Sequence, residues 1–137
     1  MVRGKDRDPD FEGAREELRT YLEKGYPIYI AETKAGDLVG YLVCRVDGEV
    51  VWAESLYVDP AWRRIGIGSR LYAKAEEFAQ ALGGEWPYNW VDPENKAIID
   101  FLGRRGYDVL NLVELRRSKP GEKGFKSIRV GDHCFNR

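Results

Sequence analysis

The residues best suited to chemistry crowd into positions 54–70, which read Glu-Ser-Leu-Tyr-Val-Asp-Pro-Ala-Trp-Arg-Arg-Ile-Gly-Ile-Gly-Ser-Arg. The first part is apolar and β-prone around one carboxylate, Glu54. Asp59-Pro60 then ends the strand, because proline lacks an N–H and pushes the residue before it out of the helical region. Gly66 and Gly68 follow in a short loop, and a helical pattern begins directly after them. Strand end, glycine loop and helix start, in that order, aim free backbone N–H groups and the positive end of a helix dipole at one point. Phosphate or pyrophosphate suits such a point. Glycine lets backbone approach a bulky anion and takes up unusual φ values at little cost. Arg63 and Arg64 add positive charge beside it. An ordinary strand-to-helix turn with two flexible glycines would carry the same two residues. The loop is not a Walker A loop, which needs Lys-Ser/Thr after its last glycine where Ser69-Arg70 stands here, and it is not GxGxxG.

Glu54 lies among Val50, Val51, Trp52, Ala53, Leu56 and Val58. A carboxylate in such a place is costly to bury unless paired, and a buried one is the kind of group that takes a proton near neutral pH. The other reading is a strand glutamate open to solvent or paired with an arginine.

This arrangement resembles the acetyl-CoA signature of the GNAT N-acetyltransferase superfamily: Arg63-x-x-Gly66-x-Gly68, after a strand ending Leu56-Tyr57-Val58 and before a helix. A second block adds to it. Asn95, Ala97, Phe101 and Gly106-Tyr107 resemble the family's Asn, Ala, aromatic and Gly-aromatic pattern on the following helix. The resemblance covers roughly residues 26–117. It implies acetyl-CoA as co-substrate, with its pyrophosphate on Arg63, Arg64, Ile65, Gly66, Ile67, Gly68 and Ser69. It implies main-chain contacts to the thioester from Leu56, Tyr57 and Val58, and a cofactor-side place for Asn95. Glu54 stands at the offset where the spermidine/spermine branch carries a glutamate that handles the amine, which makes it the candidate catalytic base. The implied activity is acyl transfer, an N-acetyltransferase passing acetyl directly to a primary amine in a ternary complex. No nucleophile with an adjacent base stands out for a covalent intermediate. The acceptor is a small-molecule or peptide amine; a protein N-terminus, a lysine, a polyamine, an aminoglycoside and a small metabolite all fit.

Two departures from the family matter. The usual tyrosine acid, four residues before the glycine of the Gly-aromatic pair, is replaced by Leu102. Either Tyr57, Tyr72 or Tyr107 serves instead, or the thiolate leaves unaided, or the protein is a non-catalytic acyl-CoA-binding or regulatory module of the same fold. The family's first strand is also shortened or absent, since only residues 1–9, highly charged, precede the first helix. An unguarded sheet edge is seldom tolerated, so a homodimer that covers it or exchanges the C-terminal strand is expected.

The elements that must position these residues follow from pattern. Residues 10–24 read as an amphipathic helix, with Phe11, Ala14, Leu18, Tyr21 and Leu22 at three- and four-residue steps. Residues 26–32, 38–46 and 49–58 read as a strand meander with turns at 34–37 and at Asp47-Gly48. Residues 67–82 form the next helix on a stripe of Leu71, Ala75, Phe78, Ala79 and Leu82, stopped by Gly83-Gly84. Residues 86–91 return as a strand parallel to 49–58, with Pro87 limiting its pairing; in the family these strands splay and the pantetheine arm enters the gap. Asp92 as cap and Pro93 at the first position open a helix that runs to about residue 105. Residues 107–116 and 125–130 read as strands around a loop at 119–124. The basic stretch 116–129 reads as a solvated hairpin, or as a contact for acidic substrate or the CoA 3′-phosphate. The expected fold is α/β, a mixed and mostly antiparallel sheet with helices on both faces.

Composition sets the bounds. A chain of 137 residues suits one domain over 1–137. A net charge of −1 argues for neither nucleic acid nor a membrane surface as partner. No apolar run reaches membrane-spanning length, and the charged start is not a signal peptide. Cys44 and Cys134 lie far apart without metal-ligand spacing. No metal is expected, Cys44 reads as a buried inert thiol and His133 as a surface residue, and a reduced cytoplasmic protein fits.

Overall fold

The computed structural model describes residues 11–137. The expectation that the family's first strand is shortened or absent concerns residues 1–9, which lie outside that range. Helix α1 covers Phe11–Glu23 and leads into strand β1, Ile28–Glu32. A turn at Gly36 opens β2, Leu38–Asp47, and the turn at Gly48 opens β3, Val50–Val58. A single 3₁₀ turn, Pro60–Trp62, and the glycine loop connect β3 to helix α2, Ile67–Leu82. Strand β4, Tyr88–Asn89, and helix α3, Lys96–Arg104, follow. A separate hairpin of β5, Ser127–Val130, and β6, His133–Asn136, completes the chain.

The main sheet has the order β1-β2-β3-β4. β1, β2 and β3 are antiparallel, and β4 joins β3 in parallel after the α2 crossover. One face packs against α2 and α3, where Leu42, Cys44, Val51, Ala53 and Leu56 meet Leu71, Tyr72, Ala75, Ala79, Ile98 and Leu102. α1 sits across the other face, where Tyr41 Oη donates to Glu17 at 3.0 Å. The expected α/β sheet with helices on both faces is therefore what the chain builds.

The α2 boundaries match the periodicity, with Gly66 before the helix and Gly83 after it. Its buried face also takes in Tyr72, fully buried, whereas Leu82 is partly exposed. Other expectations need correction. Asp92-Pro93 does not open α3. Asp92 Oδ1 accepts from Glu94 N at 2.8 Å, forming a local turn. The helix starts after Asn95, whose Oδ1 accepts from Ile98 N at 3.2 Å. Two good caps stand three residues apart, and the second one wins the helix.

β4 is shorter than the pattern 86–91. Residues 107–116 are not a strand, although the sequence there is β-prone. Such residues favour an extended backbone, but a strand needs a neighbour to pair with, and among the described residues none is paired with this segment. The final strand begins at Ser127 and is paired by a second one, β6, that the pattern did not suggest.

Burial of acidic protons makes the fold sensitive to alkali. Desolvation pushes the Cys44 thiol from its ordinary 9.0 up to about 12. Desolvation also raises the Tyr41, Tyr72 and Tyr107 hydroxyls above 10.0, with Glu17 adding to the rise at Tyr41 and a bond to Glu76 adding at Tyr107. The unfolded chain gives up these protons first, so above the ordinary values the native state holds more of them. Their stabilising contribution is whole below about pH 9 and shrinks as pH rises past it. The urea midpoint is expected to fall steadily from about pH 9 to about pH 11; an unchanged midpoint over that window would contradict this account.

Candidate active site

β3 carries the first element of the site as an irregularity. Val43 pairs with Ser55 and Cys44 with Ala53, so Glu54 is an extra residue on β3. Such a bulge shifts the two-residue side-chain period. Val51 and Ala53 face the α2 core before it, and Leu56 and Val58 do so after it. Glu54 faces away from that core and pairs with Arg45, Nε to Oε2 at 3.3 Å, each side chain only about a quarter exposed (25% and 21%). Arg45 also pairs with Asp47. Its guanidinium lies over Trp52 at 5.2 Å and Trp90 at 5.7 Å. The arginine-paired reading of Glu54 is thus what the structure shows, and Glu54 keeps an exposed portion at the sheet surface. Sequence reasoning missed Arg45, Trp52 and Trp90. The signal was present: apolar parity flips across the polar pair Glu54-Ser55, which marks a bulge.

The second element is a gap. β4 pairs with β3 only at Trp52↔Tyr88 and Ala53↔Asn89. From Glu54 onward the β4-facing edge of β3 has no strand beside it among the described residues. Tyr72 Oη donates to Asn89 Oδ1, fixing β4 to α2 at the point where pairing stops.

The third element is the loop. Asp59 Oδ1 accepts from Ala61 N at 2.9 Å and shapes the 3₁₀ turn. Arg63 Nε donates to Val58 O at 2.8 Å, so its side chain folds back on the end of β3. Arg64 holds a positive φ of 64°, the one non-glycine among the described residues to do so. Gly66, at φ 89°, occupies the N-cap of α2 without a side-chain hydrogen bond to the helix. The first bond of the helix runs from Arg70 N to Gly66 O at 3.1 Å. The N–H groups of Ile67, Gly68 and Ser69 precede it and have no intrahelical acceptor. Leu56, Tyr57 and Val58 lead into this loop, so the strand end, loop and helix start form one continuous surface.

Asn95 lies apart from it as the cap of α3. Leu102 is buried in the core against α2. Of the three tyrosines that might replace the family's acid, Tyr72 donates to Asn89, and Tyr107 donates to Glu76 at 2.8 Å beside the Glu76–Arg105 ion pair. The Tyr57 hydroxyl makes no hydrogen bond among the described residues; its ring packs on Tyr41 at 5.8 Å.

Tyr57 and Tyr41 also line a groove of about 750 Å³ between α1 and the sheet. Leu18, Leu22, Leu38 and Trp62 give it apolar walls, with Arg15, Arg19, Asp37 and Asp59 at its edges. That volume is in the range of small-molecule sites. Glu17 does not open into it as a free group, since both Tyr21 and Tyr41 donate to its carboxylate at 3.0 Å. In the basic tail Arg116 is held by Glu122, and Arg137 by Asp92. Among the described residues no cluster of three His, Cys, Asp or Glu could hold a metal, and no helix is long and apolar enough to cross a membrane.

The family described as acetyltransferase (GNAT) matches this chain over residues 4–107. The chain belongs to that family. An uncharacterised N-acetyltransferase from Methanocaldococcus jannaschii is 34% identical over 86 residues, which are 58% of this chain and 38% of that protein. The match thus spans well under half the length of this curated relative. Among solved structures, the aminoglycoside N-acetyltransferase AAC(6')-Iy in complex with CoA superposes with a TM-score of 0.64 at 19% identity, over 79% of this chain and 92% of that one. An aminoglycoside acetyltransferase from an uncultured soil metagenomic sample, in complex with sisomicin, gives 0.60 at 22% identity, over 82% and 76%. At those identities the likeness is one of fold.

The two glycines differ in kind, and this is testable. A Cβ on Gly66 meets nothing within 4 Å, but its φ of 89° strains any L-residue. A Cβ on Gly68 makes ordinary contacts to Phe101 at 3.8 Å and Val58 at 3.9 Å, in a helical backbone. Gly66→Ala is expected to destabilise by on the order of 1 kcal/mol, and Gly68→Ala to stabilise by roughly 0.5–1 kcal/mol. Urea unfolding of both variants measures this; equal effects of one sign would contradict it.

Proposed function

We propose that residues 1–137 form a single N-acetyltransferase domain that binds acetyl-CoA along the β3 edge and the glycine loop. One observation carries this reading: the open edge of β3 beyond Ala53 runs directly into a helix start with unengaged N–H groups. The residues fit the ligand. The pyrophosphate would lie on Arg64, Ile65, Gly66, Ile67, Gly68 and Ser69, with Arg63 fixing the loop to the strand. The chain's own packing does not require glycine at 68, whereas an anion close to the backbone does. The pantetheine arm would lie against Leu56, Tyr57 and Val58 as an added strand does, with a backbone N–H there meeting the thioester oxygen. Asn95 is assigned to the cofactor side by its place in the family pattern alone. Membership of the family, and CoA in the AAC(6')-Iy structure, support the ligand.

Acetyl-CoA supplies an acetyl thioester, whose carbonyl carbon takes the amine while the thiolate leaves. Glu54 is the group that accepts the proton of the incoming ammonium, and Arg45 holds its carboxylate at the sheet surface. The acceptor is a small-molecule or peptide amine that enters by the groove between α1 and the sheet, attacking directly within a ternary complex. Neighbours that act on aminoglycosides support a small amine of that kind. We place the protein in the cytoplasm, acting as a homodimer, with neither nucleic acid nor membrane as partner. A second reading, a non-catalytic acyl-CoA-binding module, draws on Leu102 in the core and on the engaged hydroxyls of Tyr72 and Tyr107. Of the three candidate tyrosines, Tyr57 is the one whose hydroxyl makes no hydrogen bond among the described residues.

Calorimetric titration with acetyl-CoA separates these readings from an inherited fold. The parent is expected to bind and Gly66→Trp, which puts a bulky side chain at the positive-φ start of α2, to lose binding. CoA release in a screen of amines then tests catalysis, with Glu54→Gln expected to lower kcat/KM by about 10²-fold or more. Binding without CoA release from any amine would favour the non-catalytic module. A parent that does not bind would refute both.

A further inference from the structure

Charge is divided unevenly along this chain. Of its 22 Lys and Arg, seven lie within residues 116–137, together with two of its 23 Asp and Glu. The rest of the chain carries 15 and 21, so a stretch of +5 adjoins a body of −6 and the net −1 hides both. The two carboxylates of the stretch are already engaged. Glu122 accepts from both terminal nitrogens of Arg116, at 2.9 and 2.6 Å, and Asp132 lies 3.9 Å from Arg129. Arg137 pairs with Asp92 of the body. Arg117, Lys119, Lys123 and Lys126 are exposed and make no ion pair among the described residues.

These four cations stand on a braced loop. Glu122 also accepts from Lys119 N at 2.8 Å, which closes the turn from inside. Positive φ at Gly121 and Gly124 turns the chain twice between Lys119 and Lys126. The pairing of β5 with β6 continues to Lys126 and Arg137, whose main chains bond to each other at 2.9 and 2.7 Å. Arg137 then anchors this end to Asp92, three residues past Asn89, where the pairing of β4 with β3 stops. A surface held in place this way loses little freedom when it binds.

We propose that residues 116–126 dock a short acidic segment of a polypeptide. Unpaired cations gathered on one loop attract an anionic partner and reject a cationic one. The surrounding charge favours a short partner. Duplex nucleic acid carries one negative charge per roughly 1.7 Å along its whole length, so it would run from the loop onto a body of net −6, with Asp92 and Glu94 beside the anchor. A short run of Asp or Glu stays within the positive loop. A second copy of this chain offers no comparable run, since its 21 acidic residues outside the stretch are interspersed with 15 basic ones. Docking itself does not depend on acetyl transfer. Only the naming of an acidic peptide as acceptor rests on that reading.

Fluorescence anisotropy of a short labelled oligoglutamate peptide tests this on the full chain without acetyl-CoA. Binding is expected at low ionic strength and is expected to weaken as salt is added. Lys119→Glu, Lys123→Glu and Lys126→Glu together are expected to weaken it by about tenfold or more, with an unchanged circular dichroism spectrum. Lys34→Glu with Lys74→Glu, both exposed and outside the loop, is expected to leave binding nearly unchanged. Absence of binding at low salt would overturn the proposal, as would an equal loss in the Lys34 and Lys74 variant. An oligonucleotide that binds more tightly than the peptide would assign the loop to nucleic acid instead, and displacement of the peptide by CoA would assign it to the cofactor's phosphates. None of the supporting results requires acetyl-CoA to bind, so failure here and failure of the proposed function are told apart.

Discussion

Among the described residues, β3 is paired on both sides at Trp52 and Ala53 and on only one side at its end, and the arrangement of the site depends on that asymmetry. Parallel pairing with β4 stops at Ala53↔Asn89. The next residue, Glu54, is the bulge in the pairing with β2. A bulge bends its strand and adds local twist, so the irregularity on one edge coincides with the loss of a neighbour on the other. What remains is a length of main chain with an open edge, backed by a packed core. Leu56 and Val58 anchor that length to α2, and Arg63 folds back onto Val58 O. The opening is thus held by rigid parts.

The same bulge explains how a polar pair sits in an apolar strand. Without it, Glu54 and Ser55 would point to opposite faces, and one would enter the α2 core. With it, the core side chains resume their alternation at Leu56, while Glu54 meets Arg45 on the other face. Arg45 in turn lies over two tryptophan rings. A charge pair of this kind, partly shielded from water, orients the carboxylate more than it stabilises the fold.

The sequence was most informative where one local rule decides. The extent of α2 follows from its period and from glycines at both ends, and the β2–β3 hairpin follows from Asp47-Gly48. The loop, as a strand end running into a helix start, was legible for the same reason, and so was the parallel return of β4. Features that belong to two segments at once were not. The Glu54–Arg45 pair depends on the register of β2 against β3, and the Tyr72–Asn89 bond on the α2 crossover. Residues 107–116 have the composition of a strand, yet strand formation is a property of a pair. Asp92 and Asn95 both have the chemistry of a cap, and packing of Ile98 and Leu102 into the core selects the second.

The most direct measurement is an amide NMR titration of the folded chain with acetyl-CoA. The account predicts that the largest shifts fall on Gly66, Ile67, Gly68 and Ser69 and on the main chain of Leu56, Tyr57 and Val58, with little change in the β5–β6 hairpin. Shifts centred on the hairpin or on the basic stretch 116–129, with the loop amides unmoved, would contradict it.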